Sequence, residues 1–491
     1  MITIAAISEP QSLVPPLIWE SVGRDIAEQI YERLAVLPGG AAPMDEAAYQ
    51  AALATRWERL DSLRWRFTLR ADARWQDGIP VTAQDVVFSF GAFQDNILDA
   101  PARPSLHGMT VTAGSDSTVE VRFPRAYAEQ LYDATWHVRI FPRHIWEDTP
   151  REAWAADTAI AHLIGSGPYR LVRWDRGQSL TLERTDTGGS GPSRVVWRFS
   201  GAPDAAANLV LSGGADVLET VPDPARMPEF SEDSSLTLVP YPSAVYGFLG
   251  FNLATAGPLR DPRVRRALAM AIDRPALAEA VFGPGTRVPA GPMSAMLWLW
   301  REDSAAADPS AAATALDAAG YRLDRMGSRH LAFDILVPAT STTRRNLAIA
   351  LQERWRRLGV EVGVTAVDFP VFQERLAKGQ FAVFIGAWLD EPSPRNLADQ
   401  WSRSGWGAQN YGHYHNPAFE HALQRTVDAV DTAAARLAWD EALGILAEDQ
   451  PAIFLYTLVN TAVVSNRVSG VVPDAYSWAR GLVTWEVAGR K

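Results

Sequence analysis

Cysteine is absent from this chain of 491 residues. That removes disulfides, thiolate metal ligands and cysteine nucleophiles together, and it leaves the redox compartment unmarked. Lysine is nearly absent as well: Lys378 and Lys491 are the only two among 46 basic residues, a bias of genome composition rather than of chemistry. A basic footprint is also missing. With a formal charge of -11 and no Lys/Arg cluster, the chain lacks what a generic nucleic-acid binder needs to displace counterions from phosphate. No apolar run approaches the roughly 18 residues of a membrane-spanning helix; the longest, Ala452 to Val464, contains Asn460. No basic-then-apolar leader follows Met1. Ile2 to Ile7 reads at once as a strand, which leaves two expectations open, a cytosolic protein or an exported one whose signal has been removed.

What is present belongs to a soluble globular protein. Hydrophobic residues make up 47% and charged residues 21%, which excludes disorder and collagen-like architectures. The length implies about three domains at roughly 150 residues each. Eighteen tryptophans are the composition's oddest feature.

Strand and helix patterns alternate through most of the chain and predict an α/β organisation. Ser21 to Leu37 reads as a helix, with Ile26, Ile30 and Leu34 on one face. Trp65, Phe67 and Leu69 alternate with polar residues in a strand with one buried face. Asp77-Gly78 makes a turn, and Thr82 with Asp85 forms a capping box opening the helix that carries Val86, Val87 and Phe90. Tyr169 to Trp174 and Leu180 to Arg184 follow as strands. Asp261-Pro262 and Asp308-Pro309 each start a helix, the second stopping at Gly320. A βαβ run comes next: strand Leu331 to Val337, helix Arg344 to Leu358, strand Val360 to Val367. A helix (Val371 to Ala377) and a strand (Phe381 to Trp388) complete this second α/β region. Breaks fall at 38 to 43, Thr185 to Pro192 and Gly283 to Pro292.

Signatures of catalysis are missing. There is no G-x-S-x-G elbow, no P-loop, no G-x-G-x-x-G and no H-E-x-x-H; the doublets Gly165/Gly167, Gly189/Gly191 and Gly283/Gly285 each lack a third glycine. Fifty-seven carboxylates single out no pair of glycosidase spacing. His413 and His415 flank Tyr414, with His421 close behind, and His-x-His on a strand places two imidazoles on one face. Metal binding would need further ligands, and surface histidines beside Asn416-Pro417 are the simpler reading.

Taken together, the blocks resemble one family. Trp65-x-Phe67-x-Leu69-Arg70 and Trp75-x-Asp77-Gly78-x-Pro80-x-Thr82-Ala83-x-Asp85-Val86-x-Phe88-Ser89 resemble the signature of the extracellular solute-binding proteins of peptide and nickel ABC importers, family 5. Ile30-Tyr31-Glu32-x-Leu34, Gly165-x-Gly167-Pro168-Tyr169, Phe251-Asn252, Asp261-Pro262-Arg263-Val264-Arg265-Arg266-Ala267-Leu268 and Ala271-Ile272-Asp273-Arg274 match further blocks, in order along nearly the whole chain. The resemblance implies a two-lobe, class II periplasmic-binding-protein-like fold with an extra inserted domain and a hinge between the lobes. Its first domain would span 1–37, 162–243 and 457–491, the insert 38–161 and the far lobe 244–456. It further implies a ligand-binding protein, no enzyme and without cofactor or resident metal. Such a protein is monomeric, exported to the periplasm or cell envelope, captures a peptide or peptide-like solute between its lobes and docks on an ABC permease. An oligosaccharide, an opine-like solute or a nickel chelate on the same scaffold is the alternative, and a secreted hydrolase a third.

The family's fold leaves the solute open, so the site must be argued residue by residue. In peptide binders a Gly-Trp strand ends in an aspartate that pairs with the peptide ammonium. Gly386-Ala387-Trp388-Leu389-Asp390 is similar, with one residue rather than two between Trp388 and Asp390. Dipeptide binders also carry a carboxylate-gripping arginine in the loop that here reads Pro338-Ala339-Thr340-Ser341-Thr342-Thr343; no arginine occurs before Arg344. The remaining ligand-binding candidates are Trp19 and Glu20 in the first-domain loop, Tyr246, Phe248 and Asn252 past the presumed hinge crossing, and Trp406, Asn410 and Tyr411 in the far-lobe loop near Trp401. Aromatic faces suit apolar side chains or sugar rings. Trp57, Trp65, Trp75, Trp174, Trp355 and Trp439 are expected to pack.

Overall fold

The computed structural model describes residues 1–186, 189 and 191–488. Thr187, Gly188 and Ser190, within the break expected at Thr185 to Pro192, lie outside the described residues, as do 489–491. The chain divides into two compact units, Met1–Tyr241 with Asn460–Lys491, and Pro242–Val459. The divisions fall inside two long strands, Leu236–Phe251 and Ala452–Ser465.

In the first unit, Ile2–Ala6 pairs in parallel with both Arg194–Phe199 and Val217–Leu218. Ser179–Arg184 and Tyr169–Asp175 extend the sheet antiparallel. A separate antiparallel sheet is built from residues 54–122, in the order Ala54–Arg59, Arg64–Leu69, Thr118–Arg122, Thr110–Ser115. Trp65, Phe67 and Leu69 enter its buried face, and the Trp65 indole donates to Gln130 at 3.0 Å. The helix Ala83–Phe93 opens with Asp85 accepting from the Thr82 amide at 2.8 Å. The other oxygen of Asp85 accepts from the Arg143 amide, so this motif aspartate is a structural tie.

The first helix is shorter than its periodicity predicts. It runs Ser21–Ile30, and Tyr31 is already extended. The cause lies far along the chain: the Gly167 amide caps the Ile30 carbonyl at 2.8 Å. A Cβ on Gly165 would stand 1.9 Å from that same carbonyl oxygen. The chain then continues into the short strand Ala35–Val36, paired with Gln50–Ala51. Leu34 is buried as expected, but from a bend just ahead of that strand rather than from a helix.

In the second unit, Ala332–Pro338 lies parallel to Glu361–Val367 and to Val383–Leu389. The latter pairs antiparallel with residues 245–251 of Leu236–Phe251. Helices Pro262–Met270, Pro309–Ala318 and Thr342–Arg356 start on side-chain caps from Asp261, Asp308 and Ser341. Strand alternation divides the apolar residues of Leu236–Phe251: Leu249 and Phe251 join one core cluster with Ile335 and Trp355, Tyr246 and Phe248 another with Phe384 and Trp439. Trp65, Trp75, Trp355 and Trp439 are buried as packing residues, while Trp57 and Trp174 are half-buried. Among the described residues no helix is long and apolar enough to cross a membrane.

Candidate ligand-binding site

Two antiparallel strands carry the centre of the second unit's candidate site. Tyr246 stands opposite Trp388 and Phe248 opposite Gly386, so alternation puts all three aromatic rings on one side of the sheet. Phe248 lies against Trp388 with centroids 6.4 Å apart and planes at 24°. Trp388 stacks in turn on Tyr411 at 6.1 Å and 17°. Gly386 makes room for this: a Cβ there would fall 2.7 Å from the Phe384 ring and 3.0 Å from Phe248. Phe248, Phe384, Trp388, Trp401 and Tyr411 line a narrow apolar crevice whose polar edge includes Gln400 and Gln409.

Asp390 follows directly on the strand. Its amide bonds the Ala244 carbonyl at 2.7 Å, which prolongs the ladder by one residue and keeps Asp390 on the side of Trp388. The carboxyl is 1% exposed. One oxygen accepts from the Ser294 amide at 2.5 Å, and the other is buried with no donor. Burial pushes the group up to about 7, with hydrogen bonds from the Ser294 amide and side chain opposing and Glu391 adding to the rise. A buried carboxylate without a counter-ion is costly, and an ammonium group is the partner that would offset it.

Several candidates direct their polar atoms into the protein. The Tyr246 hydroxyl donates to Gln400 at 2.5 Å and accepts from the Trp401 indole at 3.4 Å. Asn252 bonds the Gly379 and Phe381 carbonyls and the Ala254 amide. Asn410 ties its own loop through the Ser402 and Tyr414 carbonyls and the Tyr414 amide. These amides hold strand ends and loops in place, which leaves the Trp388–Tyr411 stack and, two residues along the strand from Trp388, the Asp390 carboxyl. Trp406 is 39% exposed and sits apart, its indole donating to the Tyr414 carbonyl and its ring stacked on His413 at 5.2 Å. In the first unit Trp19 is 59% exposed, and Glu20 precedes the first helix with one carboxylate oxygen buried and without a partner.

The histidines depart from the strand reading. His413 adopts a positive φ of 54° outside any strand, and His415 bonds Glu420 at 3.0 Å. Among the described residues no group of three or more His, Asp or Glu is placed to hold a metal. Arg344, the first arginine after the threonine-rich loop, engages the Tyr456 hydroxyl. Sequence reasoning missed Ser294, which meets Asp390 through its amide and its side chain, and Gln400. Phe384 could have been found, since it alternates with Gly386 and Trp388.

The fold is that of ABC-transporter substrate-binding proteins. The structure of such a protein, CtaP from Listeria monocytogenes, matches 99% of each chain with a TM-score of 0.87 at 18% identity. The oligopeptide-binding protein AppA from Bacillus subtilis, solved with a nonapeptide, also matches 99% of each chain, with a TM-score of 0.76 at 21% identity. Residues 48–409 match the bacterial extracellular solute-binding proteins, family 5, and the chain belongs to that family. A curated relative, the periplasmic murein peptide-binding protein MppA of Escherichia coli, is 26% identical over 461 residues, 85% of this chain and 81% of its own.

Proposed function

We propose that this protein is the receptor of an ABC importer, capturing a peptide or peptide-like solute with a free amino group and delivering it to the permease. Asp390 carries the reading, as a buried carboxylate with one oxygen free and, among the described residues, no cation against it. The ligand ammonium takes that oxygen, and the Trp388–Tyr411 stack lies beside the first side chain. The likeness to proteins named for binding murein peptide and oligopeptide supports the same class of solute. The protein acts by binding alone, as a monomer, in the periplasm or cell envelope, with no catalytic step and no cofactor.

The threonine-rich loop lacks a carboxylate clamp, which favours peptides held through their backbone over strict dipeptides. The half-buried Trp388–Tyr411 stack favours one second reading, an oligosaccharide laid against the rings. Calorimetric titration separates the two. Peptides with free amino termini giving heat, and their acetylated forms little, supports the first reading; heat only from sugar oligomers overturns it.

A further inference from the structure

In the first unit, three guanidinium groups from three separate parts of the chain meet at one carboxylate. Arg33 donates to one oxygen of Glu28, and Arg139 to the other at 3.0 Å. Arg480 approaches the first at 3.6 Å. Arg480 has a second anion, Asp474, at 3.1 Å; among the described residues Arg33 and Arg139 pair with no acidic group but Glu28. Three cations against two carboxylates leave one positive charge uncompensated, in a place where the side chains of Arg33 and Arg139 are each 8% exposed.

The hydrogen-bond pattern repeats the deficit. The Nε atoms of Arg33, Arg139 and Arg480 are all buried and all without an acceptor. A guanidinium presents five N–H donors in a fixed fork, and leaving a charged donor buried and unmet costs more than a neutral one. Trp136 holds the fork from one side, with Arg33 and Arg480 at 5.2 and 5.9 Å from its ring. Burial, reinforced by Arg33, brings Arg139 down to about 10 although Glu28 opposes the shift. Glu28, despite a burial that would raise it, is drawn down to about 2 by Arg33, Arg139 and Arg480. The group therefore has an excess of cations, and its one shared carboxylate is fully ionised.

We infer that the first unit binds a small oxyanion, a phosphate or carboxylate group, at the junction of Arg33, Arg139 and Arg480. Such an anion accepts from the free Nε–H groups and supplies the missing negative charge, and planar or tetrahedral oxygens match the guanidinium fork. The site is independent of Asp390 and of the solute that Asp390 selects.

The test is thermal unfolding of the full chain at constant ionic strength, titrated with inorganic phosphate in one arm and acetate in the other. Binding raises the melting temperature by roughly 2–4 °C at ten times the dissociation constant, and beyond that in proportion to the logarithm of the anion concentration. The larger shift at equal concentration assigns the anion, a tetrahedral oxyanion if phosphate gives it and a carboxylate if acetate does. The shift disappears in Arg139→Gln. Arg33→Lys, which keeps the charge and removes the fork, weakens it at least tenfold in apparent affinity and serves if Arg139→Gln does not fold. Glu28→Gln, which removes the shared carboxylate, enlarges the shift. No shift with either anion in the wild type at constant ionic strength, or equal shifts in wild type and Arg33→Lys, overturns the inference and leaves a purely structural ion network.

Discussion

The backbone amide of Ser294 donates to one carboxylate oxygen of Asp390 at 2.5 Å, while the second oxygen of Asp390 is buried without a donor. Neutral hydrogen bonds from Ser294 alone do not compensate a buried charge. On the proposed reading, a ligand cation is the partner that completes this geometry.

Replacing Asp390 tests that reading at the residue. Asp390→Asn keeps the shape and an acceptor for Ser294, and it removes the charge. Affinity for a peptide with a free amino terminus should fall by about 2–5 kcal/mol, as for a buried charge pair that loses one member, while an N-acetylated analogue changes little. Equal losses for both ligands, measured by calorimetry, would remove the pairing role.

Acidity should act through the same group. Asp390 is raised from 3.8 to about 7 in the folded protein, so the folded state holds this proton more tightly than the unfolded chain. Its contribution to the stability of the unliganded protein is therefore greatest below about 4, declines as pH rises through the window from 4 to 7, and then levels off. Thermal melts of wild type and Asp390→Asn across that window should differ by this slope. Capture of an ammonium requires the ionised form, so affinity for a free-amine peptide should fall by about tenfold per pH unit below 7, with a proton released on binding near neutrality. A pH-independent affinity would count against ionisation at Asp390.

Trp388 and Tyr246 are neighbours with different roles. Trp388 is half-buried and stacked on Tyr411; Trp388→Ala should cost more than about 1 kcal/mol of ligand affinity, as buried aromatic anchors do. Tyr246 is wholly buried, with its hydroxyl held by Gln400 and Trp401. Tyr246→Phe should lower stability by about 1–3 kcal/mol in urea unfolding and leave affinity nearly unchanged.

Gly165 offers a test of the fold. Its substitution by alanine drives a methyl group toward the Ile30 carbonyl, 1.9 Å away before any relaxation. Gly165→Ala should destabilise the protein by at least about 1–3 kcal/mol, the usual range for overpacking, because the obstruction is backbone. An unchanged urea midpoint would show that the end of the first helix can yield.

Where local pattern decides structure, the chain was readable from its residues. The alternation of Trp65, Phe67 and Leu69, the Thr82–Asp85 cap and the Asp-Pro helix starts each depend on neighbours a few positions apart, and each has its counterpart in the structure. The first helix was misread beyond Ile30 because Gly167, more than a hundred residues later, caps its last carbonyl. At the candidate site, Trp388 and Asp390 could be picked out from their motif. Ser294 could not, since nothing in its local pattern says that the fold brings it against Asp390, 96 residues away. Nor could the sequence show that Asn252 and Asn410 direct their amides to their own loops, because that depends on which carbonyls the fold brings within reach.

Native mass spectrometry of the protein purified from expressing cells, with the bound mass released and sequenced, bears most directly on the account. Release of peptides whose amino termini are free is the predicted result. Release of a carbohydrate or a metal chelate, with peptides giving no heat in titration, would contradict it.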